Sequence, residues 1–203
     1  MTTVVLASNN AKKLVELRRI LEPLVPGIEV LGLGDFPAYP EPAETEPTFA
    51  GNALLKARAC VAATGLPSLA DDSGICIDEL NGMPGVLSAR WAGVSKADGA
   101  DAANNRLVLA QLSDTPDERR TAHFECVMAF VTPEGDEHLA VGTMPGVILH
   151  AESGVGGFGY DPLFRPDGKD VSSAELSAEE KDAISHRGHA LRQIATVMAE
   201  ALA

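Results

Sequence analysis

TTVVLASNNAKKLVELRRILEPL, residues 2–24, changes its hydrophobic period partway along, and that change decides the fold. Thr2 to Leu6 is short, β-branched and apolar, the composition of a strand. After the polar turn at Ser8, Asn9 and Asn10, apolar residues recur at Leu14, Leu17, Leu21 and Leu24, spaced as one face of a helix. Strand, polar turn, helix is the opening of an α/β chain.

Working outward, IEVLGL (28–33) is a second strand, and FPAYPEPAETEPTF (36–49) carries four prolines that exclude both helix and central strand, so it is an extended loop. Thr48 caps the helix FAGNALLKARACVAAT, and Gly65 ends it at the position that favours a left-handed residue. LPSLADDSGICIDEL (66–80) is expected to form strand, acidic turn and strand, followed by a tight reversal at NGMPG (81–85). DGADAANNRLVLAQL (98–112) is a helix with Asp98 or Asp101 near its start. Alternation at Ala122, Phe124, Cys126, Met128 and Phe130, the turn PEGDE and the return HLAVGTMPGVILH describe a long β-hairpin over 119–150. Ser177 and Glu180 make a capping box, and Leu191, Ile194, Ala195 and Met198 line the last helix. This order predicts a mixed α/β fold, a long central sheet flanked by helices, in one domain spanning 1–203.

Composition narrows the function. With 203 residues, 45% of them hydrophobic, the chain can bury one substantial core. Sixteen basic against 29 acidic residues give a net charge of −13, which argues against nucleic acid or an anionic membrane as partner. Cys60, Cys76 and Cys126 are odd in number and lack metal-ligand spacing, as expected of reduced, buried thiols in a cytoplasmic protein. No apolar run approaches the length needed to cross a bilayer.

Several stretches carry chemistry. In SNNAKK (8–13), a strand passes to a helix through small polar residues, leaving N–H groups of Asn9, Asn10 and Ala11 that can either cap the helix or hold phosphate, with Lys12 and Lys13 adding charge. Asn52 and Lys56, four apart, share a helix face that is either solvated or turned to a site. Asp71 and Asp72 need water, donors or a cation if buried, and on a strand they would point to opposite faces. Oxygen ligands without His or Cys nearby suit Mg²⁺, with Glu41, Glu44 or Glu46 of the proline-rich loop as a second carboxylate. In GVGGFGYDPLF (154–164), Phe158 and Tyr160 alternate with glycines that let the backbone approach a flat ligand. His186 and Arg187, with Lys181 upstream, can donate to carbonyl or phosphate oxygens.

VVLASNNAKKLVEL (4–17), ETEPTFAGNALLKA (44–57), LPSLADDSGICIDELNGMPGVLSARWAG (66–93), GVGGFGYDPLF and AEEKDAISHRGHAL (178–191), in this order, resemble the inosine/xanthosine triphosphate pyrophosphatase family, also called the Ham1 family. The resemblance implies two lobes with the active site in the cleft between them, a homodimer, and Mg²⁺-dependent hydrolysis of non-canonical purine nucleoside triphosphates (ITP, dITP, XTP) to monophosphate and pyrophosphate. It picks Asp72 as general base; Asp72 is also expected to bind Mg²⁺ with Glu44 as second ligand, and Lys13, Lys56 and Lys181 to surround the triphosphate with Ser73 as donor. Phe158, Gly159, Tyr160 and Asp161 would form the base pocket, and His186 and Arg187 would donate to a 6-oxo group. The chain departs from the family pattern at Ser8 and Asn9, where threonine and glycine are common, and at Gly51, where many members carry glutamate. Its alternatives are a purine-nucleotide sensor that does not hydrolyse, and a pyrophosphatase for other modified nucleotides.

Overall fold

A computed structural model of the chain describes residues 2–201, without the side chains of Thr2, Lys12 and Lys96. Strands β1 (Thr2–Leu6), β2 (Ile28–Gly32), β3 (Ser68–Ile77), β4 (Met83–Pro84), β5 (Thr121–Val131), β6 (Glu137–Ile148) and β7 (Phe164–Pro166) form a sheet in the order β2-β1-β3-β5-β6-β7, with β4 paired to β3. β1 runs parallel to β2 and β3, whereas β4 and β7 are antiparallel to their partners, so the sheet is mixed as expected. The helices are α1 (Ala11–Leu21), α2 (Phe49–Thr64), α3 (Ala100–Gln111), α4 (Ala178–Ile184) and α5 (His186–Ala201).

The chain divides into two compact units. The first comprises 1–72, 126–142 and 186–203. In it Val4, Leu6, Leu69, Met128 and Phe130 pack with Leu17 and Leu21 of α1 and Leu191, Ile194 and Met198 of α5, while Val5, Ala70 and Ala129 pack with Ala53, Ala57 and Cys60 of α2. Leu69 and Ala70, neighbours on β3, therefore enter different clusters, as the two-residue period of a strand demands. β5 is buried on both faces from Cys126 onward for the same reason, so the alternation seen at its start disappears there. Gly142 of β6 lets the first turn of α5 lie close: a Cβ there would stand 2.1 Å from the His186 carbonyl oxygen.

The second unit comprises 73–125 and 143–185, with a core of Ile75, Ile77, Val108, Leu112, Phe124, Met144, Ile148, Leu163 and Phe164. Buried Arg120 ties its edges together, donating to the carbonyl oxygens of Leu112 (2.7 Å), Ile148 (2.8 Å) and Leu149 (2.8 Å).

Two local expectations change. α1 stops at Leu21 and Leu24 is 42% exposed, because Pro23 supplies no N–H and disfavours helical geometry in the residue before it. The acidic turn is absent: β3 runs unbroken through Asp71 and Asp72. What permits this is the supply of partners for both carboxylates.

Candidate active site

Asp71 and Asp72 are 2% and 7% exposed, and burying an unpaired carboxylate costs several kcal/mol (roughly, from transfer energetics). On one face of β3, Asp71 Oδ2 accepts from Lys13 Nζ of α1 at 2.8 Å and from Arg187 Nη2 of α5 at 3.2 Å; Arg187 Nη1 also donates to Glu16 Oε2 at 2.7 Å. Burial alone would raise the Asp71 pKa, but Lys13, Arg187 and Lys56 outweigh it and hold this carboxyl well below the usual range. Asp71 is a fixed anion around which α1, β3 and α5 are joined.

On the other face, Asp72 Oδ2 accepts from Asn52 Nδ2 at 3.0 Å and Oδ1 lies 3.4 Å from Lys56 Nζ, both from α2. Lys56 also donates to Glu44 Oε1 at 2.8 Å, so one ammonium stands between two carboxylates. Burial raises the Asp72 pKa above the ordinary aspartate value; Lys56 and the Asn52 hydrogen bond pull it down, while Glu44 and Asp71 push it further up. Burial would lower Lys56, but Asp71, Asp72 and Glu44 prevail and raise it. The two shifts are consistent, because more negative charge than positive surrounds this spot. The neighbouring aspartates thus differ in kind, Asp71 locked as an anion and Asp72 disposed to take up a proton.

Asp72 and Glu44 supply hard oxygen donors. Among the described residues no group of three or more His, Cys, Asp or Glu side chains could hold a metal. A divalent cation here would have to complete its shell from water and substrate oxygens, the habit of Mg²⁺ rather than of zinc.

The expected phosphate turn lies next to these groups in the first unit. Ser8 Oγ accepts from the Asn10 N–H at 3.2 Å, and Asn10 Oδ1 accepts from the Lys13 N–H at 3.5 Å, at the start of α1. Asn9 is exposed and its amide donates to Glu41, and Ala11 is exposed as the first residue of α1. The Lys12 side chain lies outside the described residues. His186 is 7% exposed at the start of α5, and Arg187, 2% exposed, spends both terminal nitrogens on Asp71 and Glu16.

The aromatic loop and its neighbours belong to the second unit, as does half-buried Ser73, the β3 residue after Asp72. Asp161 Oδ2 accepts from the Phe158 N–H at 2.9 Å and from Lys181 Nζ at 2.5 Å, and this ammonium sits 5.3 Å from the centre of the half-buried Phe158 ring. Tyr160 is buried with its hydroxyl donating to the Ser88 carbonyl oxygen at 2.8 Å. Gly159 donates its N–H to Asp101 Oδ2 at 2.9 Å and accepts from Asn105 Nδ2 at 3.2 Å. Its backbone groups are therefore committed to α3 rather than turned to a ligand. Asp101 and Asn105 escaped the sequence reading as site residues; for buried Asn105 the available signal was a polar side chain at a helical position that an apolar core would otherwise fill.

This mixed α/β fold is also that of solved structures, a dITP/XTP pyrophosphatase among them. The structure of a HAM1 protein from Coxiella burnetii is similar with a TM-score of 0.87 at 40% identity, covering 98% of this chain and 100% of that one. A nucleoside-triphosphatase, dITP/XTP pyrophosphatase, from Mycobacterium abscessus gives a TM-score of 0.78 at 53% identity, over 95% and 98% of the two chains. In sequence, the dITP/XTP pyrophosphatase of Nocardia farcinica is 57% identical over 98% of this chain and 96% of its own, and that of Streptomyces coelicolor 50% identical over the whole of both. Residues 4–197 match the Ham1 family, and the chain belongs to it.

Proposed function

We propose that the protein is a nucleoside-triphosphate pyrophosphatase that converts non-canonical purine nucleotides such as dITP, ITP and XTP to monophosphate and pyrophosphate, with Mg²⁺. The activity named for its relatives supports the class. The observation that carries the mechanism is Asp72, a buried carboxylate with a raised pKa beside Lys56 and Glu44.

Asp72 takes a proton from a water molecule as that oxygen bonds to the α-phosphorus; the bond from phosphorus to the bridging oxygen breaks, and its electrons leave on pyrophosphate. Asn52 holds the other carboxylate oxygen, so Asp72 meets the water in one orientation. Lys13, Lys56 and Lys181, each paired with a carboxylate, exchange these partners for phosphate oxygens and neutralise the charge that grows on the leaving group. Ser8, Asn10, Ala11 and Ser73 contribute donors to the phosphates. Asp72 and Glu44 would hold Mg²⁺, which when bound lowers the pKa of water and offsets phosphate charge.

Phe158 stacks on the base, with Tyr160 and Asp161 fixing the loop that carries it. His186 serves as donor toward a 6-oxo group, and Arg187 acts through Asp71. A site that supplies donors there leaves them unpaired against adenine, and such mismatches reach roughly 10⁴-fold discrimination. The three free thiols fit a reducing, cytoplasmic setting. We place the enzyme there as a homodimer, which light scattering tests.

The deciding experiment offers ITP, XTP, dITP, GTP and ATP with Mg²⁺ and scores products. Monophosphate and pyrophosphate from the first three alone support the reading. Orthophosphate would move cleavage to the terminal phosphate, and ITP bound but uncleaved would make the protein a sensor.

A further inference from the structure

Gly159 is the one residue between Phe158 and Tyr160, and it has no side chain with which to be held. Its φ of +62° lies where glycine is favoured, so without other restraint this residue could act as a hinge of the loop. Both of its backbone polar groups are nevertheless held, and by residues one turn apart on the same helix: the N–H by Asp101 and the carbonyl oxygen by Asn105. The Asn105 amide is itself oriented, since Nδ2 also donates to Glu152 Oε1 at 2.9 Å. On either side the loop is pinned again, at Phe158 by Asp161 and Lys181 and at Tyr160 by Ser88. The backbone that carries the Phe158 ring is thus held before any base arrives, with α3 as the reference against which it is held.

We propose that Asp101 and Asn105 are positioning residues for base selection: they fix Gly159, and through it the face that Phe158 offers to the purine. This rests on the function proposed above. Neither residue touches the base. Losing the clamp would cost order in the loop, which substrate binding would then have to restore, so the penalty falls on binding rather than on chemistry. Purines that fit best lose most, because a mobile ring discriminates less.

Asp101 is exposed, so its replacement leaves the core intact. Asp101→Ala removes the acceptor; Asp101→Asn removes the charge and keeps an amide oxygen able to accept from Gly159. For Asp101→Ala, the expected result is a KM for ITP raised roughly tenfold with kcat within about twofold of wild type, and a smaller ITP-over-ATP ratio of kcat/KM. Asp101→Asn should restore KM and the ratio, and amide hydrogen exchange at Gly159 should speed up in the alanine variant alone. Unchanged KM and selectivity in Asp101→Ala overturn the proposal, as do equal losses in both variants, which would trace the effect to charge at the start of α3. Wild-type protein that leaves ITP intact is a different result, striking the function itself and this proposal with it.

Discussion

Asn52 donates to Asp72 across 3.0 Å while accepting the Glu46 N–H, also at 3.0 Å, so a fully buried amide links the proline-rich loop to the Asp72 carboxylate. The Glu46 contact decides which way the amide faces. With its oxygen occupied by a backbone donor, its nitrogen must point at Asp72.

Asp72→Asn should keep the fold and lose turnover. Burial already disfavours the charge at this position, so a neutral amide of the same shape adds no desolvation cost. An amide cannot take the proton from water, and the loss of general base catalysis is worth about 10²- to 10⁴-fold in rate. Steady-state hydrolysis of ITP together with a thermal melt checks this. Activity near wild type would remove Asp72 from the mechanism.

Arg187→Ala should act chiefly on stability. Its two arms hold Asp71 and Glu16, which are 2% and 8% exposed, and removing them leaves buried carboxylates short of their partner. Breaking a buried pair from one side costs about 3–5 kcal/mol. Urea unfolding should show a midpoint lowered to match, and an unchanged midpoint would mean that Lys13 alone suffices for Asp71.

What the sequence made legible was mostly local. Thr48 caps α2 through a hydrogen bond to Gly51 three residues on, Gly65 ends that helix at φ +69°, and the Ser177–Glu180 box opens α4; each signal lies within a few residues of what it determines. The acidic pair was misjudged for the opposite reason. Asp71 looks like a turn residue until Lys13 and Arg187 are brought to it, and these lie 58 and 116 residues away. Motif resemblance pointed to Asp72 and Lys56, and the proline-rich loop offered Glu44, but local pattern could not reveal that Lys56 stands between the two carboxylates, or that α3 holds Gly159 from 54 and 58 residues away.

Gly142→Ala should destabilise the first unit. The added methyl carbon would stand 2.1 Å from the His186 carbonyl oxygen and 2.5 Å from the Ala190 nitrogen, and both belong to helix backbone that cannot rotate aside. α5 would have to shift away from the sheet, at about 1–3 kcal/mol for overpacking. Because His186 and Arg187 open that helix, the shift should also weaken the grip on Asp71. Thermal denaturation measures the first effect, and a melting temperature equal to wild type would show that α5 has room to move.

The thiols offer a test that needs no substrate. All three are buried, and burial, with Glu125 and Asp78 nearby, pushes the Cys76 pKa up to about 11. Only the thiolate is nucleophilic, so at pH 8 roughly one Cys76 in a thousand is reactive, against about a quarter of an ordinary cysteine. Cys126, wholly enclosed in the first unit, is raised further by burial and by Asp71. Native protein should therefore resist iodoacetamide at pH 8, with Cys76 labelling faster as pH climbs toward 11, while protein unfolded in urea is alkylated at all three positions. Rapid labelling of folded protein at pH 8, located by peptide mass mapping, would show that the strand or helix carrying that residue opens far more readily than its packing implies.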